Sequence, residues 1–353
     1  SLGCSKNRVD SEQILGMLKE NGFEITNDEA QAEVIIVNTC GFINPAKEES
    51  IGAILEMAQH KKGGNCRLLV VTGCLSQRYP KELREELSEV DIFWGVKNKD
   101  GLVRKITEAV GGSYKCCSED ARIITTPSYS AYLRIADGCD NRCTYCAIPL
   151  IRGGKVSIPM KKLVKEAQSL ADSGVKELTL IAQDTSAYGT DLYGKPMLAE
   201  LMRRIAKIDK LHWIRVLYSY PNTIDEELVD TMVADPKIVN YIDIPIQHID
   251  PDMLKAMNRH GSAEHIREIT DYIRRTAPDF ILRTTVITGF PGETEEQFGH
   301  LTEFLKEHSF DRLGAFAYSQ EDDTPAADMP NQIDEDVKQR RLKRIMSLQQ
   351  GIS

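Results

Sequence analysis

Short apolar runs alternate with helix-like segments over the first 112 residues of the chain. The runs EVIIVN (33–38) and RLLVVTG (67–73) are continuous and rich in β-branched residues, which is typical of strands buried on both faces. DIFWG (91–95) indicates a third strand. Such alternation predicts an open parallel sheet covered by helices. The helix-like segments are residues 8–21, 45–60, 80–88 and 98–110.

A second alternation begins at YLRIA (132–136). Six strand-like runs and their helical patterns fit within about 190 residues, whereas a complete eight-unit barrel typically needs about 250. We therefore predict an α/β fold in which the open parallel sheet is followed by a partial (βα)6 TIM-like barrel. The later strand-like runs are 177–182, 213–218, 241–246, 282–288 and 313–318, and the helical patterns are 160–173, 196–208, 225–234, 263–277 and 293–307.

These patterns divide the chain into four parts. Residues 1–112 form the predicted N-terminal domain, and a glycine pair followed by a polar stretch favours a linker at 113–127. The barrel is predicted at 128–335. Residues 336–353 continue a charged helix that ends abruptly, so we expect it to lead into a further C-terminal domain.

Composition narrows the class of protein. Hydrophobic residues make up 41% of the chain and charged residues 27%, which is ordinary for a globular protein with a real core. No run of about 18 apolar residues and no signal-peptide pattern is present, so we expect a cytoplasmic protein without a membrane partner. The formal charge of −9 argues against broad nucleic-acid binding by this chain.

Three of the nine cysteines lie close together in the sequence. Cys139, Cys143 and Cys146 form a C-x3-C-x2-C motif after the first predicted barrel strand, at the edge where barrel loops build active sites. A structural zinc site needs a fourth protein ligand, and no His or Cys lies nearby. Three thiolates suit a [4Fe–4S] cluster that leaves one iron open to an outside ligand.

Three other cysteines are far apart in sequence but similarly placed. Cys4, Cys40 and Cys74 end the strand-like runs SLGC, VIIVNTC and VVTGC, and each precedes a predicted helix. Because the carboxyl ends of parallel strands meet at one edge, we expect the three thiols to converge. We interpret them as a second three-thiolate cluster site; the alternative is a coincidence of buried cysteines. The remaining cysteines lack ligand spacing and are interpreted as small buried side chains: Cys66, Cys116 and Cys117.

The C-x3-C-x2-C motif on the first loop of a predicted βα barrel resembles the radical S-adenosylmethionine (SAM) superfamily. That resemblance implies that the open iron binds the amino and carboxylate groups of SAM. It further implies that electron transfer cleaves SAM to a 5′-deoxyadenosyl radical, which makes Cys139, Cys143 and Cys146 catalytic. A zinc protein or a non-catalytic iron–sulfur scaffold would keep the same cysteines and stays an alternative.

Two three-cysteine sites in this order resemble the methylthiotransferase family over essentially the whole chain. Several motifs are similar to the branch that adds a methylthio group to the β-carbon of an aspartate of ribosomal protein S12. The branch that modifies transfer RNA shares the six cysteines and remains the alternative. The motifs are SLGCSKNRVDSE (1–12), NTCGFINPAKEES (38–50), GCLSQRY (73–79), CAIPLIRG (146–153), AQDTSAYGTDLYG (182–194) and TGFPGET (288–294).

The methylthiotransferase resemblance also implies cofactors and partners. It implies two [4Fe–4S] clusters, SAM, and a low-potential electron donor such as flavodoxin or ferredoxin. It further implies that the substrate is ribosomal protein S12 and that any contact with nucleic acid occurs only through the ribosome. Relatives usually continue into a small C-terminal TRAM domain, which we expect the last helix to lead into. They also usually carry an arginine where this chain has Ile158, so any contact made by that arginine is missing here.

Residues at the predicted strand ends are candidates for binding SAM. Gln183 and Asp184 follow the second barrel strand, although Asp184 is also explained as a turn former. Gln247 follows YIDIPI and is a candidate for facing the adenosine. Arg283 can pair with a carboxylate through a bidentate fork or form an ordinary ion pair. Gly289 lies in a turn where the backbone can approach the adenine, but glycines also simply make turns.

Overall fold

The protein is described from a computed structural model that covers residues 1–352. The chain divides into two compact units, each treated separately below. The sheet unit comprises Ser1–Pro127 and Ile148–Gly153, and the barrel unit comprises Ser128–Ala147 and the chain from Gly154 onward. No helix within residues 1–352 has both the length and the apolar character needed to cross a membrane.

The sheet unit contains three parallel strands in the order β1-β2-β3. The register pairs Val34 with Leu68 and Val70 with Ile92. The strands are β1 (Val34–Thr39), β2 (Leu68–Gly73) and β3 (Ile92–Phe93), and the helices are α1 (Ser5–Glu20), α2 (Asn44–Ala58), α3 (His60–Gly63), α4 (Cys74–Arg78), α5 (Glu82–Glu86), α6 (Lys99–Ala109) and α7 (Ile148–Arg152).

Both faces of this sheet are buried, as the continuous apolar runs predict. Ile35 and Leu69 pack on the side of Ile54 from α2. Val70 packs on the opposite side, against Ile14 of α1. Because successive side chains of a strand point to opposite faces, an unbroken apolar run fills both layers of core at once.

The run SLGC (1–4) does not form the strand that the sequence analysis predicts. Leu2 donates one backbone hydrogen bond to Asn38 O at 2.9 Å, but residues 1–4 form no ladder. Gly3 has a φ of +81°, which turns the chain away from the extended conformation. Cys4 is the N-cap residue of α1, so its position is fixed by a helix start and not by a strand end.

Residues 113–127 contain no helix or strand and pack along α1. Arg122 forms a buried ion pair with Glu12 at 2.6 Å, and the Thr125 amide donates to the same carboxylate at 2.8 Å. Gly16 allows this close approach, because a Cβ there would lie 2.3 Å from the Arg122 nitrogen.

The barrel unit contains six parallel strands in two hydrogen-bonded groups, β4-β7-β8 and β9-β10-β11. The Ser219 amide donates to Asp243 O at 3.0 Å, which links the end of β8 to β9. Within residues 1–352, β4 and β11 form no ladder with each other, so the structure is an open barrel of six strands. This confirms the predicted α/β class. The strands are β4 (Ser130–Arg134), β7 (Glu177–Ile181), β8 (Trp213–Val216), β9 (Tyr241–Gln247), β10 (Ile281–Thr288) and β11 (Arg312–Ala317).

Helices follow the barrel strands, and local capping sets where several begin. Ser262 caps α13, and Thr294 forms a capping box with Gln297 at the start of α14. A short antiparallel pair, β5 (Ala136–Asp137) with β6 (Val156–Ser157), stands beside the first loop. The helices are α8 (Met160–Asp172), α9 (Thr190–Tyr193), α10 (Leu198–Ala206), α11 (Glu226–Ala234), α12 (Pro251–Ala256), α13 (Ala263–Thr276), α14 (Glu295–His308) and α15 (Glu335–Gln350), with 3-10 turns at Pro221–Thr223 and Pro325–Asp328.

Candidate functional site

The cysteines of the barrel unit lie on one tight loop after β5. We call Cys139, Cys143 and Cys146 the loop triad. Gly138 and Arg142 both have positive φ, at 70° and 49°, and the Cys146 amide donates to Cys143 O at 3.0 Å. These turns bring thiols that are three and four residues apart onto one short stretch of backbone.

Hydrogen bonds from distant segments hold the loop triad in place. The Thr144 amide donates to Met257 O at 3.0 Å, and its hydroxyl donates to Ala256 O at 2.9 Å. Thr144 O accepts from the Ala326 amide at 2.9 Å. The loop is therefore fixed from behind by α12 and by the 3-10 turn at Pro325–Asp328.

Asp184 lies next to the loop triad. Its Oδ2 accepts from Asn141 Nδ2 at 2.8 Å, while Oδ1 accepts from the Ala187 amide at 3.1 Å. The carboxylate thus ties its own turn to the cysteine loop. The pKa of the Cys139 thiol is raised to about 11, chiefly by burial; the nearby Asp184 charge acts in the same direction, while a backbone hydrogen bond at Asn141 opposes it.

Arg259 is a candidate site residue that the sequence analysis missed. Its Nη1 lies 3.4 Å from Tyr145 Oη and 3.9 Å from Cys143 Sγ. Its guanidinium stacks 4.1 Å from the Tyr220 ring centroid, and Nη2 donates to Pro245 O at 2.5 Å. The residue follows α12 and reaches a loop more than a hundred positions earlier, so no local pattern predicts this contact. It places a fixed positive charge beside the loop triad.

Buried polar atoms without a hydrogen-bond partner among residues 1–352 occur at four barrel strand ends. They are both amide atoms of Gln183, Oε1 of Gln247, and the hydroxyls of Thr288 and Tyr318. Buried polar groups in proteins are nearly always hydrogen-bonded, so such a set at one edge of the barrel fits a polar ligand. Gln183 and Gln247 are the predicted candidates, whereas Thr288 and Tyr318 were not anticipated.

Gln247 also has strained backbone. Its φ is +68°, and the register between β9 and β10 shifts at the same level of the sheet. A non-glycine residue in this conformation persists only where its surroundings hold it, and such residues concentrate at functional sites.

The two other predicted SAM-binding residues already have partners within the protein. Arg283 Nη1 contacts Asp243 Oδ2 at 3.1 Å, and the two residues are paired in register across β9 and β10. Gly289 donates its amide to Glu293 Oε2 at 2.7 Å. A Cβ on Gly289 would lie 2.3 Å from the Lys338 side chain, so this glycine also lets α15 pack closely.

A buried network supports the Gly289 turn. Glu293 is 2% exposed and forms an ion pair with Arg341 of α15 at 2.5 Å. His248 Nε2 lies 3.2 Å from Glu293 Oε1, and its Nδ1 accepts from the Asp250 amide at 3.0 Å. His248 therefore has a structural position in this network, and Arg341 is a buried member of it that the sequence does not single out.

Ile158, the position where relatives usually carry arginine, uses its backbone and not its side chain. Its amide donates to Ile135 O at 2.9 Å, and its carbonyl accepts from the Tyr188 hydroxyl at 2.8 Å. Both bonds are available to any residue type, so the substitution leaves this local backbone pairing in place.

In the sheet unit, the segments that carry Cys4, Cys40 and Cys74 come together; we call these cysteines the sheet triad. A Cβ on Gly3 would lie 2.8 Å from Cys40 Cβ. A Cβ on Gly41 would lie 3.1 Å from the Cys74 carbonyl carbon. Glycines beside the cysteines therefore permit contacts that any side chain would block. The convergence expected from sheet topology is present, although Cys4 reaches it from a helix start.

Asn7 connects all three segments of the sheet triad. Its Nδ2 donates to Leu2 O at 3.1 Å and to Thr39 O at 2.9 Å. Its Oδ1 accepts two hydrogen bonds, one from the Cys74 thiol at 3.4 Å and one from Arg152 Nη2 at 2.8 Å. One fully buried amide thus binds backbone carbonyls before Cys4 and before Cys40 and accepts a hydrogen bond from the Cys74 thiol.

The thiols of the sheet triad influence one another electrostatically. Burial raises the pKa of Cys74 to about 11, and the neighbouring Cys4 and Cys40 contribute in the same direction while Arg152 opposes them. Burial is also the main cause that raises the pKa of Cys40. Metal binding replaces the proton of such a thiol, so these cysteines suit a ligand role better than a solvent-exposed reactive one.

The remaining cysteines differ from one another. Cys66 is 6% exposed and belongs to the core, as expected. Cys116 is exposed, so its interpretation as a buried side chain is wrong, because it lies in the irregular stretch outside both core layers. Cys117 is half-buried and accepts from Asn21 Nδ2 at 3.1 Å.

Both triads fit an iron–sulfur cluster by donor chemistry. Each offers three thiols, and Ser5 and Ser76 beside the sheet triad have buried hydroxyls without a hydrogen-bond partner in residues 1–352. Within the same residues, no three His, Cys, Asp or Glu side chains already stand in the arrangement that holds a metal ion. The fit therefore rests on residue type and converging backbone, not on preformed ligand geometry.

Comparisons with known proteins agree with this architecture. Residues 1–95 match the family described as uncharacterized protein family UPF0004, and residues 133–305 match the Radical SAM superfamily. Relatives named ribosomal protein uS12 methylthiotransferase RimO occur in Lachnoclostridium phytofermentans, at 50% identity, and in Clostridioides difficile, at 51%. Both alignments include the whole of this chain and 82% of the relative.

A solved structure shows the same fold at low sequence identity. The radical SAM methyltransferase TsrM from Kitasatospora setae superposes with a TM-score of 0.68 at 15% identity, over 92% of this chain and 74% of that one. An open six-stranded barrel with a three-cysteine loop, joined to a parallel sheet with its own cysteine triad, defines a radical SAM enzyme of the methylthiotransferase class. The chain belongs to the family of ribosomal protein uS12 methylthiotransferases RimO.

Proposed function

We propose that this enzyme adds a methylthio group to the β-carbon of an aspartate in ribosomal protein S12. The observation that carries the proposal is identity at half of all aligned positions, over the whole chain, to relatives named for that activity. The names of those relatives favour the protein-modifying branch over the branch that modifies transfer RNA.

The barrel unit supplies the radical chemistry. As a member of the Radical SAM superfamily, the enzyme uses an iron–sulfur cluster and SAM. Cys139, Cys143 and Cys146 would hold that cluster, which supplies an electron for cleavage of SAM and so allows hydrogen to be taken from an unactivated carbon. The tight backbone of the loop triad fixes the three thiolates, and Arg259 keeps a positive charge beside them.

Unpaired polar groups at the barrel edge would bind SAM. Gln183 and Gln247 offer amide groups that can donate to and accept from amino, carboxylate or ribose groups. Thr288 and Tyr318 add hydroxyls from the neighbouring strand ends. A bound SAM would give these buried groups the hydrogen-bond partners that they otherwise lack. Binding would therefore gain those hydrogen bonds without breaking others within the protein. Arg283 and Gly289 would support the SAM site only indirectly, through the contacts that they already make with Asp243 and Glu293.

The sheet unit would hold a second [4Fe–4S] cluster on Cys4, Cys40 and Cys74. This cluster would be the place from which the methylthio group is delivered, and a second SAM would supply its methyl group. Asn7 keeps the three ligand segments together, and three thiolates on a four-iron cluster would leave one iron for an outside sulfur ligand.

Partners follow from this chemistry. The protein substrate would be ribosomal protein S12, and the reaction would then take place in the cytoplasm. A low-potential carrier such as flavodoxin or ferredoxin would deliver electrons, because clusters of this kind take up electrons only from strong reductants.

The proposal is tested with purified S12 or a peptide containing the target aspartate. The enzyme is reconstituted anaerobically with iron and sulfide and supplied with SAM and dithionite, and the product is examined by mass spectrometry. We expect the methylthio mass increment on the aspartate. Transfer RNA is treated in parallel, and modification of the RNA but not of S12 would move this chain to the tRNA-modifying branch.

A further inference from the structure

Arg152 belongs to the CAIPLIRG motif, which begins with a cysteine of the loop triad. The contacts of its side chain with Asn7, Asp10 and Cys74 nevertheless lie outside that triad. The residue ends α7, which begins two residues after Cys146 yet is part of the sheet unit. The Arg152 side chain is only 1% exposed. A charged group this deeply buried needs specific partners, and those partners identify what it serves.

One partner of Arg152 is a cysteine of the sheet triad, and the other two lie beside that triad. Its Nη2 lies 3.7 Å from Cys74 Sγ, which is within hydrogen-bonding range for sulfur. The same nitrogen donates to Asn7 Oδ1 at 2.8 Å and to Asp10 Oδ2 at 2.8 Å. The guanidinium therefore contacts a proposed ligand and the amide that fixes all three ligand segments.

Asp10 links Arg152 to a second cation. Its other oxygen, Oδ1, lies 2.8 Å from Lys99 Nζ, and its side chain is 6% exposed. Two cations thus share one carboxylate. Among these three groups positive charge exceeds negative charge by one, which is the balance expected beside a site that collects thiolates.

We propose that Arg152 is a positioning residue of the sheet triad that sets the reduction potential of its cluster, with Asp10 as the opposing charge. The inference rests on the proposed function, because it requires a cluster on Cys4, Cys40 and Cys74. A hydrogen bond to a ligand sulfur and a nearby positive charge both favour the more negative, reduced state of a cluster. Arg152 raises the potential and Asp10 lowers it.

The experiment isolates the sheet-triad cluster. A Cys139→Ala, Cys143→Ala, Cys146→Ala background removes the loop triad, after which iron content and the midpoint potential are measured by EPR-monitored redox titration. Arg152→Met, Arg152→Lys and Asp10→Asn are compared with Arg84→Met, the same type of change at an exposed position of the sheet unit.

We expect Arg152→Met to shift the midpoint potential to more negative values and Asp10→Asn to shift it to more positive values. Arg152→Lys keeps the charge but loses the planar fork, so it should lie between wild type and Arg152→Met. Arg84→Met should leave the potential unchanged. A purely structural role would not produce shifts of opposite sign from the two partners of one ion pair.

Each result decides the matter. Equal potentials in Arg152→Met, Asp10→Asn and Arg84→Met would overturn the inference while leaving the second cluster intact. If Arg152→Met fails to retain iron, the sign of the Asp10→Asn shift decides, and a negative or absent shift refutes the role. If the background protein binds no cluster at all with Arg152 present, the two-cluster part of the proposed function fails instead.

Discussion

The two proposed cluster sites, the loop triad and the sheet triad, draw their thiols from differently organised parts of the chain. The loop triad takes its thiols from eight consecutive residues, 139–146, on one loop. The sheet triad takes its thiols from three places spread over residues 4–74. The first arrangement depends on a local backbone turn, and the second depends on the folding of an entire sheet. A substitution near one triad should therefore have different structural consequences from a substitution near the other.

The difference is visible in what holds each triad. The loop triad is fixed by bonds from its own backbone and from segments behind it, such as Thr144 with Met257. The sheet triad has one residue, Asn7, that bonds to all three of its segments, while Ser50 holds both backbone groups of Cys40 and Arg152 contacts Cys74. Each triad therefore has several supports, but only the sheet triad has one support that is shared by all its segments.

Removing a ligand from the loop triad should have the largest effect. We expect Cys143→Ala to lower reductive SAM cleavage by at least about 10³-fold, because residues that act as a unit lose nearly all activity together. Formation of 5′-deoxyadenosine with dithionite, followed by chromatography, measures this. Cleavage at an undiminished rate would show that the loop triad does not hold the SAM-binding cluster.

A ligand change in the sheet triad should separate the two activities. Cys40→Ala is expected to keep SAM cleavage within about twofold of wild type while methylthiolation of the S12 peptide is lost, since only the second cluster is removed. Both products are quantified in the same reaction mixture. Parallel loss of both would mean that the triads do not act as separate sites.

The central support of the sheet triad is tested by Asn7→Ala. This change removes hydrogen bonds to three segments at a fully buried position and leaves buried carbonyls unpaired, so we expect a loss of about 3 kcal/mol in unfolding free energy. Chemical denaturation of the apoprotein measures the loss, and iron analysis should show preferential depletion of the sheet-triad cluster. Equal depletion of both clusters would contradict a local role.

Close approach at the sheet triad is tested by Gly3→Ala. The added Cβ would lie 2.8 Å from Cys40 Cβ on a backbone with φ of +81°, so we expect a cost of about 2 kcal/mol and weaker iron retention. Gly52→Ala is the matched control, because nothing lies within 4 Å of a Cβ there. Similar iron retention in the two variants would show that the triad tolerates wider spacing.

The smallest effect is expected at the loop triad, from Asn141→Ala. It removes one hydrogen bond to Asp184 at 2.8 Å while the other anchors of the loop remain, so the cost should be about 1 kcal/mol. Thermal unfolding of the apoprotein and the rate of SAM cleavage are the measurements. An effect as large as that of Asn7→Ala would remove the contrast between the two triads.

Much of the fold could be predicted because strand runs and helix patterns are local. The six barrel strands and the two long strands of the sheet unit occur where the apolar runs predict them. The exception is SLGC, where four residues are too few for periodicity to decide and Gly3 turns the chain. Short helices such as α4 and α7 have five residues each, little more than one turn, which is too short for a periodic pattern, and they were not predicted.

The candidate site was predictable only in part, for the same reason. Cysteine spacing is a local signal, and Gln183 and Gln247 follow from their place at strand ends. Arg152, Arg259 and Arg341 could not be found that way, because each contacts partners dozens to more than a hundred residues away. An arginine in a sequence is usually a surface cation, and only the folded chain shows that these are enclosed.

The most direct test of the two-site account is the iron content of the anaerobically reconstituted wild type against a Cys4→Ala, Cys40→Ala, Cys74→Ala variant. We expect about eight irons per chain in the wild type and about four in the variant, with SAM cleavage retained in both. About four irons in each protein would contradict it, because the sheet triad would then hold no cluster.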